Sequence, residues 1–151
     1  MLQSINPTTE EILGEVKISD RKDVNEKVKV ARKAFSSWSS MPVDERANLL
    51  KQFANEVRKN KEELSVLITK EMGKVISESK DEIEFACNEI DWFTKEGKKY
   101  LTDETIDVGN PEVKSYVKYE PLGVVGVITP WNFPLETPVW STIPALLAGN
   151  T

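Results

Sequence analysis

The spacing of apolar residues predicts four consecutive amphipathic helices in the first hundred positions of the chain. Each helix carries apolar side chains three or four positions apart, as a stripe that packs against a core requires. The first helix is expected to begin after the N-cap Asp20, the second near Pro42 and the third near Lys61. Gly73 is a natural residue to end the third helix.

The fourth helix has the most regular stripe, formed by Ile83, Ala86, Ile90, Phe93, Gly97 and Tyr100. Ser79 and Glu82 have the spacing of a capping box at its start. Cys87, the only cysteine, falls on the stripe, so we expect a buried apolar thiol, and a reactive thiol is the less favoured alternative.

Acidic residues on the third and fourth helices alternate with lysines at helical offsets. This pattern favours a solvated helix face over a carboxylate pair in acid/base catalysis. The residues concerned are Glu62, Glu63, Glu71, Glu78, Asp81, Glu82 and Glu84.

Three segments outside these helices have the patterns of β-strands. Residues 5–16 combine turn signals with short β-type runs and predict a hairpin or a loose strand pair. Residues 113–119 alternate and predict a two-faced antiparallel strand. Residues 124–129 are apolar on both faces, as in a strand within a parallel sheet. A helix is expected from Leu135, with Pro144 at a position that should kink it.

A parallel strand followed by a crossover helix normally leads into a second parallel strand. Here the sequence ends at Thr151, directly after the predicted helix. We therefore expect residues 1–151 to be the opening part of a larger fold, or a unit that a partner completes.

Composition narrows the classes of function. The 151 residues include 20 basic and 25 acidic side chains, for a net charge of −5, so no nucleic-acid partner is expected. No apolar run approaches the ~20 residues that cross a bilayer, so no membrane role is expected, and no signal peptide is recognisable. The absence of histidine removes Ser–His and Cys–His couples, and no residues have metal-ligand spacing. The expectation is a cytoplasmic protein without a metal site.

The bend at residues 131–134 is the strongest candidate for a functional site. It follows the carboxyl end of the predicted parallel strand and precedes a helix, where open α/β sheets bind ligands. Asn132 offers an uncharged amide N–H, which suits an oxyanion. On spacing alone, the favoured interpretation is structural: Asn132 would cap the helix and Trp131 would fill a gap in the core.

The sequence around this bend resembles the aldehyde dehydrogenase family. The most specific stretch runs from Tyr119 to Pro134 and reads YEPLGVVGVITPWNFP. Similar family patterns occur at residues 6–9, 71–74 and 149–151. The resemblance covers essentially the whole chain, which corresponds to about the first third of a family-length protein.

The resemblance implies an α/β fold that is the N-terminal part of an aldehyde dehydrogenase and is incomplete as it stands. Residues 1–110 would form the N-terminal hairpin and the helical part of the cofactor domain. Residues 111–122 would form an oligomerisation-type strand. Residues 123–151 would form the first strand, turn and helix of a truncated Rossmann-like sheet.

The resemblance also implies roles for individual residues. Asn132 would donate its amide to the oxygen of a thiohemiacetal, which forms when a catalytic cysteine attacks the aldehyde. Binding of NAD or NADP is implied for Ile128, Thr129, Pro130, Trp131 and Asn132. The catalytic cysteine and the glutamate that activates water would lie beyond Thr151, and Cys87 matches no catalytic position.

The implied partners are a small aldehyde, with succinate semialdehyde as one candidate, and further copies of the same protein in a homo-oligomer. We expect the segment alone to be inactive, because it lacks the nucleophile and part of the cofactor site. The alternative is a truncated, non-catalytic interaction or oligomerisation module.

Overall fold

Five α-helices and two small antiparallel sheets make up the structure, a computed structural model that describes all residues 1–151. The elements are β1 (Leu2–Ile5), β2 (Ile12–Val16), α1 (Arg21–Ser40), α2 (Val43–Lys59), α3 (Lys61–Met72), α4 (Ile76–Glu96), a 3₁₀ turn (Gly97–Leu101), β3 (Glu104–Ile106), β4 (Ser115–Val117) and α5 (Glu136–Leu147). The four helices predicted in the first hundred residues are therefore confirmed.

Local chemistry explains where the first and third helices begin and end. The side chain of Asp20 accepts a hydrogen bond from the backbone N–H of Asp23 at 2.8 Å. The side chain of Asp23 accepts one from the N–H of Asp20 at 3.1 Å, which completes a capping box. Gly73 ends α3 at φ 74°, and a Cβ there would approach Pro7 Cγ to 2.9 Å. This turn therefore favours glycine.

The capping box predicted at the start of α4 is wrong. The helix begins at Ile76, with Val75 as its N-cap. Ser79 is buried and shares a hydrogen bond of 2.8 Å with Thr69, while Glu82 is buried and directed at α5. The prediction failed because the three-residue spacing of a capping box also places two side chains on one buried helix face.

The two sheets are both hairpin-like pairs. Strands β1 and β2 pair antiparallel from Leu2 opposite Val16, which confirms the predicted N-terminal hairpin. Strand β4 is shorter than the predicted 113–119 and pairs antiparallel with β3. The apolar pattern did not indicate β3, because all three of its residues are exposed.

The main core forms where α2, α4 and α5 meet. It consists of Ala47, Leu50, Ala54, Ala86, Ile90, Val139, Ile143 and Leu147. A smaller cluster joins α2, α3 and α4 and consists of Val57, Ile68, Ile83 and Cys87. Helix α5 continues through Pro144, which lacks the N–H that would bond the carbonyl of Trp140. Trp140 is half-exposed, so water can solvate that turn.

Cys87 is fully buried in the smaller cluster, which confirms the expected apolar thiol. Its Sγ lies 3.6 Å from the carbonyl oxygen of Ala54. Burial raises the pKa of the Cys87 thiol. Because the thiolate is the nucleophile, this environment argues against a reactive cysteine.

The predicted strand at 124–129 belongs to neither sheet. One residue pair nevertheless has the expected parallel arrangement, since the N–H of Thr151 donates to the oxygen of Gly123 at 2.9 Å. The N–H of Val125 in turn donates to the oxygen of Thr151 at 2.8 Å. Two bonds that flank Val124 in this way are the pattern of a parallel ladder. The strand remains unformed because Thr151 is the only residue that pairs with it.

The chain exposes more surface than a compact protein of its mass. Its accessible surface is 10,679 Å², whereas a folded monomer of 17.1 kDa exposes roughly 7,700 Å². The apolar stripe predicted for α1 is only partly covered: Val24 and Val28 are exposed, and no residue of this helix is fully buried. Leu122 and Ile128 are almost fully exposed. Exposed apolar surface on this scale is unusual for a soluble monomer.

None of the helices combines the length and apolar character needed to cross a membrane. No three metal-binding side chains converge anywhere in the chain.

Candidate active site

Asn132 lies on the exposed bend that connects residues 126–129 to the start of α5. Its side chain is exposed and does not cap α5, whose N-cap is Leu135 without a side-chain hydrogen bond. Trp131 is 79% exposed and fills no gap in the core. The structure therefore contradicts both structural roles considered for this bend, since Asn132 caps no helix and Trp131 fills no gap.

The N terminus of α5 is capped by a carboxylate that α4 supplies. Glu82 Oε1 accepts hydrogen bonds from the backbone N–H groups of Leu135 at 2.8 Å and Glu136 at 3.3 Å. The first N–H groups of a helix have no intrahelical partner, and negative charge is favourable at that end. Glu82 is thus a cap from a distant part of the chain and not a member of the predicted solvated acidic face.

Lys74 pairs with the second oxygen of the same carboxylate. Lys74 Nζ lies 2.7 Å from Glu82 Oε2, and the two side chains are 10% and 0% exposed. The same Nζ lies 4.1 Å from the centre of the Phe133 ring, next to Asn132 in sequence. Both carboxylate oxygens of Glu82 are therefore paired, as a buried charge requires.

A cavity of about 480 Å³ opens between α4 and the bend. Its lining residues are Lys74, Glu78, Asp81, Glu82, Phe85, Asn132, Phe133 and Glu136. A cavity of about 670 Å³ lies on the β3–β4 hairpin, but none of its lining residues belongs to the bend. We therefore take the cavity at Asn132 as the candidate substrate site.

Carboxylates dominate the electrostatics around this cavity. Burial raises the pKa of Glu136, the charge of Glu82 raises it further, and Lys74 opposes the change. Since only Lys74 brings a positive charge to the lining and Glu82 already pairs with it, the cavity is acidic.

The other residues assigned to cofactor binding lie together immediately before Asn132. Ile128, Pro130 and Trp131 are exposed, and Thr129 is half-buried. Their role in binding a dinucleotide stays a prediction. Sequence reasoning missed Glu82 as a site residue, because its spacing does not distinguish it from its acidic neighbours. Lys74 was included in the family-like pattern at 71–74, the one signal that could have pointed to it.

The model of the Aldehyde dehydrogenase family matches residues 1–151. The chain therefore belongs to the aldehyde dehydrogenase family, as its sequence predicted.

Curated relatives with established names are similar over almost the whole chain. The 3,6-anhydro-alpha-L-galactose dehydrogenase of Vibrio sp. (strain EJY3) is 36% identical over 149 residues, which are 99% of this chain and 31% of that protein. The NAD(P)+ succinate semialdehyde dehydrogenase Sad of Escherichia coli (strain K12) is 34% identical, over 97% of this chain and 31% of that protein. The chain thus spans about a third of the length of the curated relatives it matches.

Solved structures show the same fold. An NADP-dependent enzyme of Escherichia coli superposes with a TM-score of 0.94 at 33% identity, over 99% of this chain and 31% of that protein. Betaine aldehyde dehydrogenase of Staphylococcus aureus, solved with NAD+, superposes with a TM-score of 0.93 at 32% identity, over 99% of this chain and 30% of that protein. The chain corresponds to the N-terminal portion of an aldehyde dehydrogenase fold, which confirms the predicted fold class.

Proposed function

We propose that this chain is the N-terminal part of an enzyme that oxidises an aldehyde to the carboxylic acid with NAD or NADP. The observation that carries the proposal is the exposed, non-capping amide of Asn132 at the edge of a cavity. Stabilisation of developing negative charge by such a donor is usually the largest single contribution to catalysis. Membership of the aldehyde dehydrogenase family supports the proposal.

The chemistry of Asn132 follows from its amide N–H. A cysteine from outside these residues attacks the aldehyde carbon, a C–S bond forms, and the carbonyl electron pair moves onto oxygen. Asn132 donates its N–H to that oxygen and stabilises the thiohemiacetal. Cys87 has no part in this step, because it is buried in the α2–α3–α4 cluster.

The residues before Asn132 fit the nicotinamide end of a dinucleotide and not its phosphates. The side chains of Ile128 and Trp131 offer exposed apolar surface to a flat ring. A helix N terminus can bind phosphate, but here the Glu82 carboxylate already accepts the N–H groups of α5 and would repel an anion. We therefore assign residues 128–131 to the nicotinamide and its ribose; when bound, the nicotinamide accepts hydride.

The domain boundaries predicted from the sequence form part of the same proposal. Residues 1–110 form the N-terminal hairpin and the helical part of the cofactor domain. Residues 111–122 form an oligomerisation-type strand, and residues 123–151 begin the Rossmann-like sheet. The proposed assembly is a homo-oligomer, in which further polypeptide covers the exposed apolar surface.

The acidic lining bears on the choice of aldehyde. Family resemblance suggested succinate semialdehyde, which carries a carboxylate of its own. The cavity, however, is lined by three carboxylates that form no salt bridge, those of Glu78, Asp81 and Glu136. Like charges disfavour a carboxylate-bearing substrate, and aromatic Phe85 and Phe133 suit an uncharged or cationic one. We therefore propose a neutral or cationic small aldehyde as the better substrate.

The test uses the full-length protein and follows the absorbance of reduced nicotinamide. Asn132→Ala is expected to lower kcat by roughly 10²–10³-fold, as loss of one oxyanion donor does. Asn25→Ala, which removes an exposed amide from α1, is the matched control and should leave kcat unchanged. Equal rates for Asn132→Ala and wild type would refute the role of Asn132. The chain of 151 residues alone is expected to show no turnover.

The large exposed surface favours a second candidate, a non-catalytic module that associates through residues 124–129. In that case the 151-residue chain would form a stable complex with itself in light scattering. The full-length protein would then oxidise no aldehyde with either cofactor.

A further inference from the structure

The bend that carries Asn132 is held by side chains from another part of the chain. Lys74 contacts the ring of Phe133, one residue after Asn132. Glu82 binds the N–H groups of Leu135 and Glu136, three and four residues after Asn132. These two anchors are themselves joined by an ion pair of 2.7 Å. We propose that Lys74 and Glu82 are positioning residues that hold the Asn132 amide in its catalytic orientation, an inference that rests on the proposed function of Asn132.

Nothing within the bend replaces this support on its α5 side. The N-cap residue, Leu135, has no side chain that can cap the helix. The local contacts come from Thr137 of α5. Its hydroxyl donates to the carbonyl of Phe133 at 2.8 Å and lies 3.4 Å from that of Pro130, and its backbone N–H donates to the carbonyl of Phe133 at 3.2 Å. Asn132 does not cap the helix itself, so the position of its amide depends on how its backbone is held.

Removing only one partner of the Lys74–Glu82 ion pair is expected to destabilise the bend. Both side chains lie in an environment with almost no solvent, so loss of one partner leaves an uncompensated charge beside the bend. Without Lys74, the Glu82 charge has only the backbone N–H groups of α5 as partners. We expect the bend to move in response, and a displacement of about 1 Å at a catalytic group can cost roughly 10²-fold in rate.

The test is a double-mutant cycle on the full-length protein. Lys74→Met and Glu82→Gln are each made in the wild-type and in the Asn132→Ala background. In the wild-type background each is expected to lower kcat by about tenfold or more, with KM for the aldehyde changed by less than about threefold. In the Asn132→Ala background each should lower kcat by less than about twofold, because the amide they position is already gone.

Two further variants separate positioning from general stability. Thr94→Val removes a buried hydroxyl from the same helix, where Thr94 donates to the carbonyl of Ile90 at 2.8 Å. It should lower the Tm and leave kcat unchanged. Lys74→Arg keeps the charge and should restore most of kcat. Glu82→Gln keeps an amide oxygen for the N–H groups of α5 but loses the charge that pairs with Lys74, so it carries the test if Lys74→Met does not fold.

The outcomes are distinct. If Lys74→Met and Glu82→Gln lower the Tm but not kcat, the positioning role is overturned. If their effects on kcat are as large in the Asn132→Ala background as in wild type, they act independently of Asn132 and the proposal is again overturned. If Asn132→Ala alone leaves kcat unchanged, the proposed function of Asn132 is the part that fails.

Discussion

Arg46 is expected to stabilise the fold by binding the carboxyl ends of two helices. It is buried on α2, and its Nε donates to the carbonyl of Leu147 at 3.0 Å. Its Nη1 donates to the carbonyls of Met41 and, at 3.4 Å, Ser39. These carbonyls end α5 and α1, where the last C=O groups lack helical partners and a cation is favourable. Arg46→Met should therefore leave buried acceptors without a donor.

The magnitude follows from these contacts. A hydrogen bond to a charged group contributes about 1.5–3 kcal/mol, and Arg46 donates to the end of each helix, at Leu147 for α5 and at Met41 for α1. Burial lowers the pKa of the Arg46 guanidinium, so part of this gain is offset by desolvation. We expect Arg46→Met to lower the free energy of unfolding by about 3 kcal/mol. Arg46→Lys keeps the charge but loses the planar fork, so its cost should be about half as large.

Urea unfolding of the 151-residue chain, followed by far-UV circular dichroism, measures this effect. With a slope near 2 kcal/mol per molar urea, the midpoint should fall by about 1.5 M. Arg32→Met, on the exposed face of α1, is the control and should stay within about 0.5 kcal/mol of wild type. If Arg46→Met also stays within that range at an unchanged slope, the reasoning about helix ends is wrong.

Three further predictions follow from the buried and acidic groups. Glu89→Gln should stabilise the chain at about pH 8, and the gain should shrink as the pH falls. Burial raises the folded-state pKa of Glu89, so the cost of burying its charge is present at high pH and is lost once the carboxyl is protonated. A stabilisation by Glu89→Gln that does not change with pH would contradict this. Cys87 should react with a thiol reagent only as fast as the chain unfolds, and immediate labelling of the native chain would show that it is accessible. In the full-length enzyme, kcat/KM for 4-aminobutanal should exceed that for succinate semialdehyde, and Glu136→Gln should narrow the difference; a preference for the anionic aldehyde would contradict the electrostatic argument.

The helices could be predicted from the sequence because their apolar stripes are local patterns. The stripe from Ile83 to Ile90 is buried in the core, as its spacing required. The role of Glu82 could not be predicted in this way, since its partners on α5 lie more than fifty residues further along the chain. Periodicity identifies which face of a helix is buried, but it does not identify what that face contacts.

The strand at 124–129 shows a different limit of sequence reasoning. Its apolar pattern predicts a position inside a parallel sheet, but each backbone group needs a neighbouring strand. Thr151 provides one residue of that neighbour, and the pairing ends there. The candidate site at the bend was proposed from the family-like residues around Asn132, and its role stays a prediction. The ion pair between Lys74 and Glu82 beside it became visible only in the three-dimensional structure.

Leu147 is the last residue in the sequence that contributes to the main core of α2, α4 and α5. A ribosome delivers the N-terminal part of a nascent protein first. The helical centre of this unit can therefore assemble during translation, before any later polypeptide emerges. The backbone around Val124 would meanwhile stay open as a template for the incoming strand and vulnerable to pairing with a neighbouring nascent chain.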